Sequence, residues 1–170
     1  MQFLVFSDSH GDTNRMALVL RRNPDIKSVI FLGDGMGDLE VLARLYPTHS
    51  FRAVRGNCDG LMLDYPIEDV FTLYGKTVFL CHGHTLGVKG GVGAAVERAK
   101  EVWADVLLFG HTHRPIEEYR SEQELYICNP GSISRPAAGD PSFAILDILP
   151  NGGICISHGK IPLFSHGNLD

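Results

Sequence analysis

Five short apolar runs in this chain each stop at a loop carrying Asp, Asn or His, and no other feature constrains the fold as tightly. Gln2 to Phe6 stops at Ser7-Asp8-Ser9-His10-Gly11, and Ser28 to Leu32 stops at Gly33-Asp34-Gly35-Met36-Gly37. Phe51 to Val54 runs into Arg55-Gly56-Asn57-Cys58-Asp59, Thr77 to Cys81 into His82-Gly83-His84, and Val106 to Phe109 into Gly110-His111-Thr112-His113. Short continuous apolar runs bounded by Gly and polar residues read as strands buried on both faces. In open α/β sheets the ends of such strands converge on one rim, where ligands bind.

Helices fill the gaps between the first runs. After Asp12 and Thr13 as caps, Met16, Val19 and Leu20 recur at helical spacing until Asn23-Pro24. Leu39, Leu42 and Leu45 define a second helix, ended by Tyr46-Pro47, and Val96, Ala99 and Val102 a third, entered through the Gly87 to Gly93 loop. The rest reads as antiparallel hairpins: Val70 to Leu73 with Thr77 to Cys81, Ile116 to Arg120 with Leu125 to Cys128, and Phe143 to Leu149 with Gly153 to Ser157. Pro150-Asn151-Gly152-Gly153 is the strongest turn signal among them. Strands alternating with helices, followed by hairpins, predict an α/β fold of two packed mixed β-sheets with helices on the outer faces. The 170 residues are expected to form one domain, and Ser165 to Asp170 a frayed tail.

A formal charge of -5 is the wrong sign for a protein that coats nucleic acid or anionic membrane, unless bound cations reverse it locally. No run approaches the roughly 20 apolar residues of a membrane span, and Met1 to His10 lacks the basic leader of a signal peptide, so a cytoplasmic protein is expected. Cys58, Cys81, Cys128 and Cys155 form no C-x-x-C pair. The last three sit in apolar runs and read as reduced core residues. His49, His158 and His166 match no motif and are expected on solvated segments. Leu61-Met62-Leu63 offers either a small homo-oligomer interface or more core packing.

Taken singly, an Asp after a strand is a cap or turn former, and Asn57 beside Gly56 is a turn pair. Together, Asp8, His10, Asp34, Asn57, His82, His111 and His113 place seven oxygen and nitrogen donors at one rim with no evident structural partners. Metal ions would satisfy them. On extended backbone alternate residues point the same way, so Asp8 with His10, and His111 with His113, each present two donors together. Seven ligands overfill one small dication, whereas Asp34 could bridge two held roughly 3.5 to 4 Å apart. Carboxylate, amide and imidazole donors without thiolate suit Mn, Fe, Zn, Co or Ni better than Ca or Mg.

On Asp8-Ser9-His10, Gly33-Asp34, Gly56-Asn57-Cys58-Asp59, His82-Gly83-His84 and Gly110-His111-Thr112-His113, in that order, the sequence resembles the calcineurin-like metallophosphoesterases from Met1 to about Ser157. Its small size, Asn57-Cys58-Asp59 and Asn129-Pro130-Gly131-Ser132 resemble the compact bacterial and archaeal phosphodiesterase branch, the YfcE type. The resemblance implies a four-layer sandwich and two divalent ions per chain, Mn first and Zn, Ni, Fe or Co as alternatives. It assigns Asp8, His10 and His113 to one ion, Asn57, His82 and His111 to the other, and Asp34 as the bridge. His84 is then a residue behind the ligands or facing the substrate, and Asp59 orients a neighbour by hydrogen bonding.

The implied reaction is hydrolysis of a small phosphodiester by a hydroxide shared between two dications, with Asn57 and His82 steadying charge on the phosphate oxygens. Many relatives carry His directly after the Asn, where it can protonate the leaving group; here Cys58 stands in that place, and a thiol is a poorer general acid. Three other readings compete. The retromer subunit of this fold serves as a protein-interaction scaffold, but lacks the full donor set present here. A nuclease or nucleotide phosphatase, or a protein phosphatase, would call for extra capping or groove segments, and the acidic charge disfavours a nucleic-acid track.

Overall fold

The computed structural model describes residues 1–60 and 64–162. The expectations for Leu61-Met62-Leu63, His166 and the Ser165 to Asp170 tail lie outside the described residues. In chain order the elements are β1 (Gln2–Phe6), α1 (Thr13–Arg22), β2 (Ser28–Phe31), α2 (Met36–Leu45), β3 (Ser50–Ala53), β4 (Glu68–Leu73) and β5 (Lys76–Cys81). There follow α3 (Gly93–Glu101), β6 (Val106–Leu108), β7 (Pro115–Arg120), β8 (Leu125–Pro130), β9 (Ser142–Ile148) and β10 (Ile154–Lys160). The strands form two five-stranded mixed sheets, ordered β10-β9-β1-β2-β3 and β4-β5-β6-β8-β7.

Side-chain alternation along the buried strands sorts the core into three slabs. Leu4, Phe6, Val29 and Phe31 face α1 and α2 through Met16, Val19, Leu20, Leu39 and Leu42. Phe3, Val5, Ile30 and Leu32 face the other way, against Val78, Leu80, Val106 and Leu108 of the second sheet. Phe79, Leu107 and Ile127 then pack on Ala95, Val96 and Ala99 of α3. Helices, sheet, sheet and helix thus make the four layers, and each fully buried Phe or Leu contributes about 1.5 to 3 kcal/mol.

Asp12 caps α1 by accepting the Arg15 N–H at 3.1 Å. The β9–β10 turn closes through Leu149 N–H to Gly153 O at 2.8 Å, with Gly152 at φ 81°. Leu45 closes α2 as expected and is 63% exposed, because the face that packs carries Met36, Leu39 and Leu42. Two local expectations change. Cys155 is exposed rather than in the core, because β10 is an edge strand whose outward face is uncovered. Neither His49 nor His158 is simply solvated: His49 sits between the rings of Tyr46 and Phe51. His158 joins the sheets, its Nε2 2.8 Å from Asn129 O and its Nδ1 3.3 Å from Glu117 Oε2.

Strand register positions the site. Phe6 pairs with Phe31 and Phe31 with Ala53, all parallel, so β1, β2 and β3 end flush. Leu80, Leu108 and Cys128 pair in register on parallel β5, β6 and β8.

Candidate metal centre

All five polar loops leave that common edge, and hydrogen bonds stitch them together across both sheets. Asp8 N–H donates to Gly33 O at 2.9 Å, His10 N–H to Asp34 O at 3.1 Å and Gly110 N–H to His82 O at 3.1 Å. The Asp8 carboxylate accepts Ser7 Oγ–H at 2.5 Å and His111 N–H at 3.1 Å through Oδ2. Close approach explains one glycine: a Cβ on Gly110 would stand 2.0 Å from Ser7 Oγ.

The expected alternation does not bring the donors together. Asp8, His10, Asp34, His111 and His113 all have left-handed backbone, with φ between 43° and 65°. Such a conformation costs of order 1 to 3 kcal/mol per residue away from Gly and clusters at functional sites. The turns separate His111 from His113 and send them to different groups. Asp8, His10 and His113 converge in one, Asp34, His82 and His111 in the other, with the ligand atoms of each group within 4.8 Å of one another.

Distances inside each group match a shared cation. His10 Nε2 lies 3.3 Å from His113 Nε2, and His113 Nε2 lies 3.1 Å from Asp8 Oδ1. His82 Nε2 is 3.1 Å from His111 Nδ1 and 3.4 Å from Asp34 Oδ2. Two nitrogens bound to one zinc-sized ion in tetrahedral geometry stand about 3.3 Å apart. The second ring nitrogens fix the tautomers: His82 Nδ1–H donates to Leu32 O at 2.7 Å and His113 Nδ1–H to Arg135 O at 2.6 Å. Each Nε2 lone pair therefore points into the centre, as metal-binding imidazoles require. Asp8 Oδ1 is buried with no hydrogen-bond partner, an orphan acceptor that a cation would satisfy. The residues present therefore fit divalent metal.

Electrostatics agree. Burial disfavours a charged Asp34, yet the facing His82 imidazole and the hydrogen bond from the Cys58 N–H, 2.8 Å from Oδ1, outweigh it and hold the carboxyl well below its usual range. For His82, burial pulls the imidazole down while Asp34 and Asp8 pull it up, and the net direction is up. The facing Asp8 carboxylate raises His113 against its burial. Burial and the neighbouring His82 and Lys89 push His111 down to about 4, so it stays neutral. Two carboxylates thus draw positive charge into a pocket of imidazoles.

Asp59 holds the Asp34 loop. Its carboxylate accepts four backbone N–H groups, from Asp34, Gly35 and Gly56 at 2.7 Å and from Met36 at 2.9 Å. Cys58 Sγ comes within 4.8 Å of ligand atoms of both His10 and Asp34. Burial and the Asp34 carboxylate push that thiol's pKa up. Asn57 is exposed, with Nδ2 3.2 Å from Cys58 Sγ, and it lines a groove with Arg55 and His84. The His84 ring centroid lies 5.4 Å from that of His82, and burial lowers its pKa.

Of the residues that support the ligand loops, Asp38 and Ser134 escape sequence reasoning, whereas Asn129 and Ser132 belong to the Asn129-Pro130-Gly131-Ser132 motif. Asp38, in the first turn of α2, accepts Ser9 Oγ–H at 2.6 Å and Gly11 N–H at 2.8 Å, pinning the loop that bears His10. Ser132 and Ser134 hydroxyls donate to Asp8 O at 2.8 and 3.0 Å. Asn129 donates to Gly110 O at 2.8 Å and to Thr112 Oγ1 at 3.0 Å. For Asp38 and Ser134, an acidic residue in a helix's first turn and a small hydroxyl are the sole local signals, and both occur routinely at helix ends and turns.

The calcineurin-like phosphoesterase superfamily domain matches residues 1–150. Among curated relatives, the probable metallophosphoesterase YsnB of Bacillus subtilis is 32% identical over 149 residues, covering 87% of this chain and 85% of its own. The phosphodiesterase YfcE of Escherichia coli is 32% identical over 170 aligned positions, covering 86% of this chain and 88% of its own. A predicted phosphoesterase from Streptococcus pneumoniae superposes with a TM-score of 0.72 at 28% identity, over 85% of this chain and 81% of that one. Zinc-complexed Vps29 from Entamoeba histolytica shares the fold with a TM-score of 0.72 at 22% identity, over 94% and 99% of the two chains. The chain belongs to the calcineurin-like phosphoesterase superfamily.

Proposed function

We propose that this protein is a metal-dependent phosphodiesterase that hydrolyses small phosphodiesters at a dinuclear centre. The observation that carries the reading is the pair of donor groups rich in imidazole, Asp8-His10-His113 and Asp34-His82-His111, linked through His10, Asp34 and Cys58, beside the orphan Asp8 Oδ1. Likeness to YfcE, named a phosphodiesterase, supports the substrate class. In this reading Asp8, His10 and His113 hold one divalent ion, and His82, His111 and Asn57 the other. Asp34 lies between them, with Mn the first choice. When bound, the ions supply Lewis acidity toward the phosphate oxygens and a hydroxide nucleophile from water.

The chain's own residues set the rest. The hydrogen bonds to Leu32 O and Arg135 O engage Nδ1 of His82 and His113 and turn their Nε2 atoms inward. Asp59 fixes the main chain on which Asp34 sits. Asn57 and His82 would orient the phosphate and steady the charge that builds on it. Cys58 occupies the leaving-group side without a strong proton to give, which favours substrates whose leaving group departs unaided. The fourth and fifth polar loops, by supplying His82, His111 and His113, complete a donor set that a pure scaffold has no use for.

The test is hydrolysis of bis(4-nitrophenyl) phosphate by protein stripped with chelator and then reloaded with Mn, Zn or Ni. Turnover should vanish on stripping and return on reloading. Metal-loaded protein that turns over no phosphoester while binding a partner protein tightly would replace this reading with the scaffold one.

A further inference from the structure

Arg135 stands out among the residues around the centre. Its main chain is clamped to the Asp8-His10-His113 group from both sides: its carbonyl accepts His113 Nδ1–H at 2.6 Å, and its N–H donates at 2.7 Å to Ser132 Oγ. Ser132 Oγ–H in turn donates to Asp8 O at 2.8 Å. The root of the side chain is therefore fixed relative to the ligands, while the side chain itself is exposed. Its guanidinium reaches back over His10, Nη2 lying a long 3.5 Å from His10 O. With His10, Asp34, Gly35 and Cys58 it lines a cleft of about 450 Å³.

The acidic side chains that line that cleft have partners of their own, Asp34 facing the Cys58 N–H and His82. Asp38 is occupied by Ser9, Gly11 and Thr13, and Asp59 by its four amides. A guanidinium offers five N–H donors in a planar fork that matches two phosphate oxygens. A singly charged diester held between two dications has no need of another cation. In a chain of net charge -5, a cation whose main chain is held beside the centre and whose guanidinium is left open to the cleft suits a second anion.

We infer that Arg135 receives a second anionic group of the substrate beside the scissile phosphate, so that the preferred substrates are phosphodiesters carrying a further phosphate. This rests on the phosphodiesterase reading and deepens it. A loop arginine that only adds solubility would give no preference for a further phosphate, and the two roles separate cleanly in solution.

Two substrates with one scissile bond decide it: thymidine 5′-(4-nitrophenyl phosphate), and the same compound bearing a 3′-phosphate. A charge-assisted bidentate contact predicts that Mn-loaded wild-type protein favours the 3′-phosphorylated ester in kcat/KM by on the order of tenfold or more, chiefly through KM. Arg135→Gln should bring the ratio near one, and Arg135→Lys should keep part of it, with metal content measured alongside. Calorimetry with thymidine 3′,5′-bisphosphate and thymidine 5′-monophosphate reads the same preference as binding. Equal handling of the two compounds by wild-type protein, or a preference that survives in Arg135→Gln, overturns the inference. Failure to hydrolyse either ester would sink the phosphodiesterase reading instead, and the binding ratio would still decide the part played by Arg135.

Discussion

The Asp59 carboxylate accepts the main-chain N–H of Asp34 at 2.7 Å, and three more amides crowd onto the same two oxygens. One side chain thus ties the Gly56 loop to the entry of α2 and sets the height of Asp34 at the centre. Removing it leaves several amides without partners. Asp59→Ala should destabilise the protein by about 2 kcal/mol or more and weaken metal binding by roughly 10- to 100-fold, read by thermal melts and metal titration. Asp59→Asn, with one acceptor oxygen in place of two, should fall between. Wild-type melting and affinity in Asp59→Ala would contradict this account of the loop.

Asp34 is expected to serve both ions. Saturation with Mn should give two ions per wild-type chain and no more than one in Asp34→Asn, with activity on nitrophenyl diesters reduced at least about 100-fold. Elemental analysis after gel filtration measures the first and steady-state kinetics the second. One ion per saturated wild-type chain, together with full activity of Asp34→Asn, would remove the bridging role.

Cys58 reports on proton donation. General acid catalysis is worth roughly 100- to 10,000-fold, and the upward shift of this thiol by burial and Asp34 makes a thiolate costly without making the thiol a good acid near neutral pH. Cys58→Ala should leave nitrophenyl diester hydrolysis nearly intact. Cys58→His should raise rates on alkyl or nucleoside leaving groups more than on nitrophenol, provided the ring fits without displacing Asn57. Loss of nitrophenyl turnover in Cys58→Ala with both metals still bound would make the thiol catalytic.

Metal stabilisation should grow with pH. Against their burial, Asp34 and Asp8 raise His82 and Asp8 raises His113, so in metal-free protein both imidazoles keep their protons to a pH above the unfolded value of 6.5. Their paired charge stabilises the fold fully below pH 6.5 and fades as the pH rises through the raised folded values. A metal must displace those protons, at about tenfold in affinity per proton per pH unit. His111, pushed down to about 4, releases none in this range. The rise in melting temperature on adding Mn should therefore be larger at pH 8 than at pH 6. A pH-independent rise would mean that the metal binds elsewhere.

What sequence reasoning could and could not see follows from the range of the interactions. Strand ends were legible because apolar runs stopped by Gly, Asp and His are local, and the flush ends of β1, β2 and β3 follow from parallel pairing. The direction of the donors was not. Alternation along extended backbone predicts Asp8 beside His10, and the two do meet, but through left-handed turns at both residues. By the same logic His111 would join His113, and instead they part. Cys155 and Cys128 look alike in sequence, yet one lies on an edge strand and the other inside. Asp38 and Arg135 carry no local signal, because what distinguishes them is contact with loops far away in the chain.

The central claim is two metal ions, one in each donor group. Anomalous diffraction at the Mn absorption edge from a Mn-loaded crystal tests it most directly. Two peaks are predicted: one among Asp8, His10 and His113, the other among His82, His111 and Asn57, with the Asp34 carboxylate between them. A single peak, or none within reach of these side chains, would contradict the account.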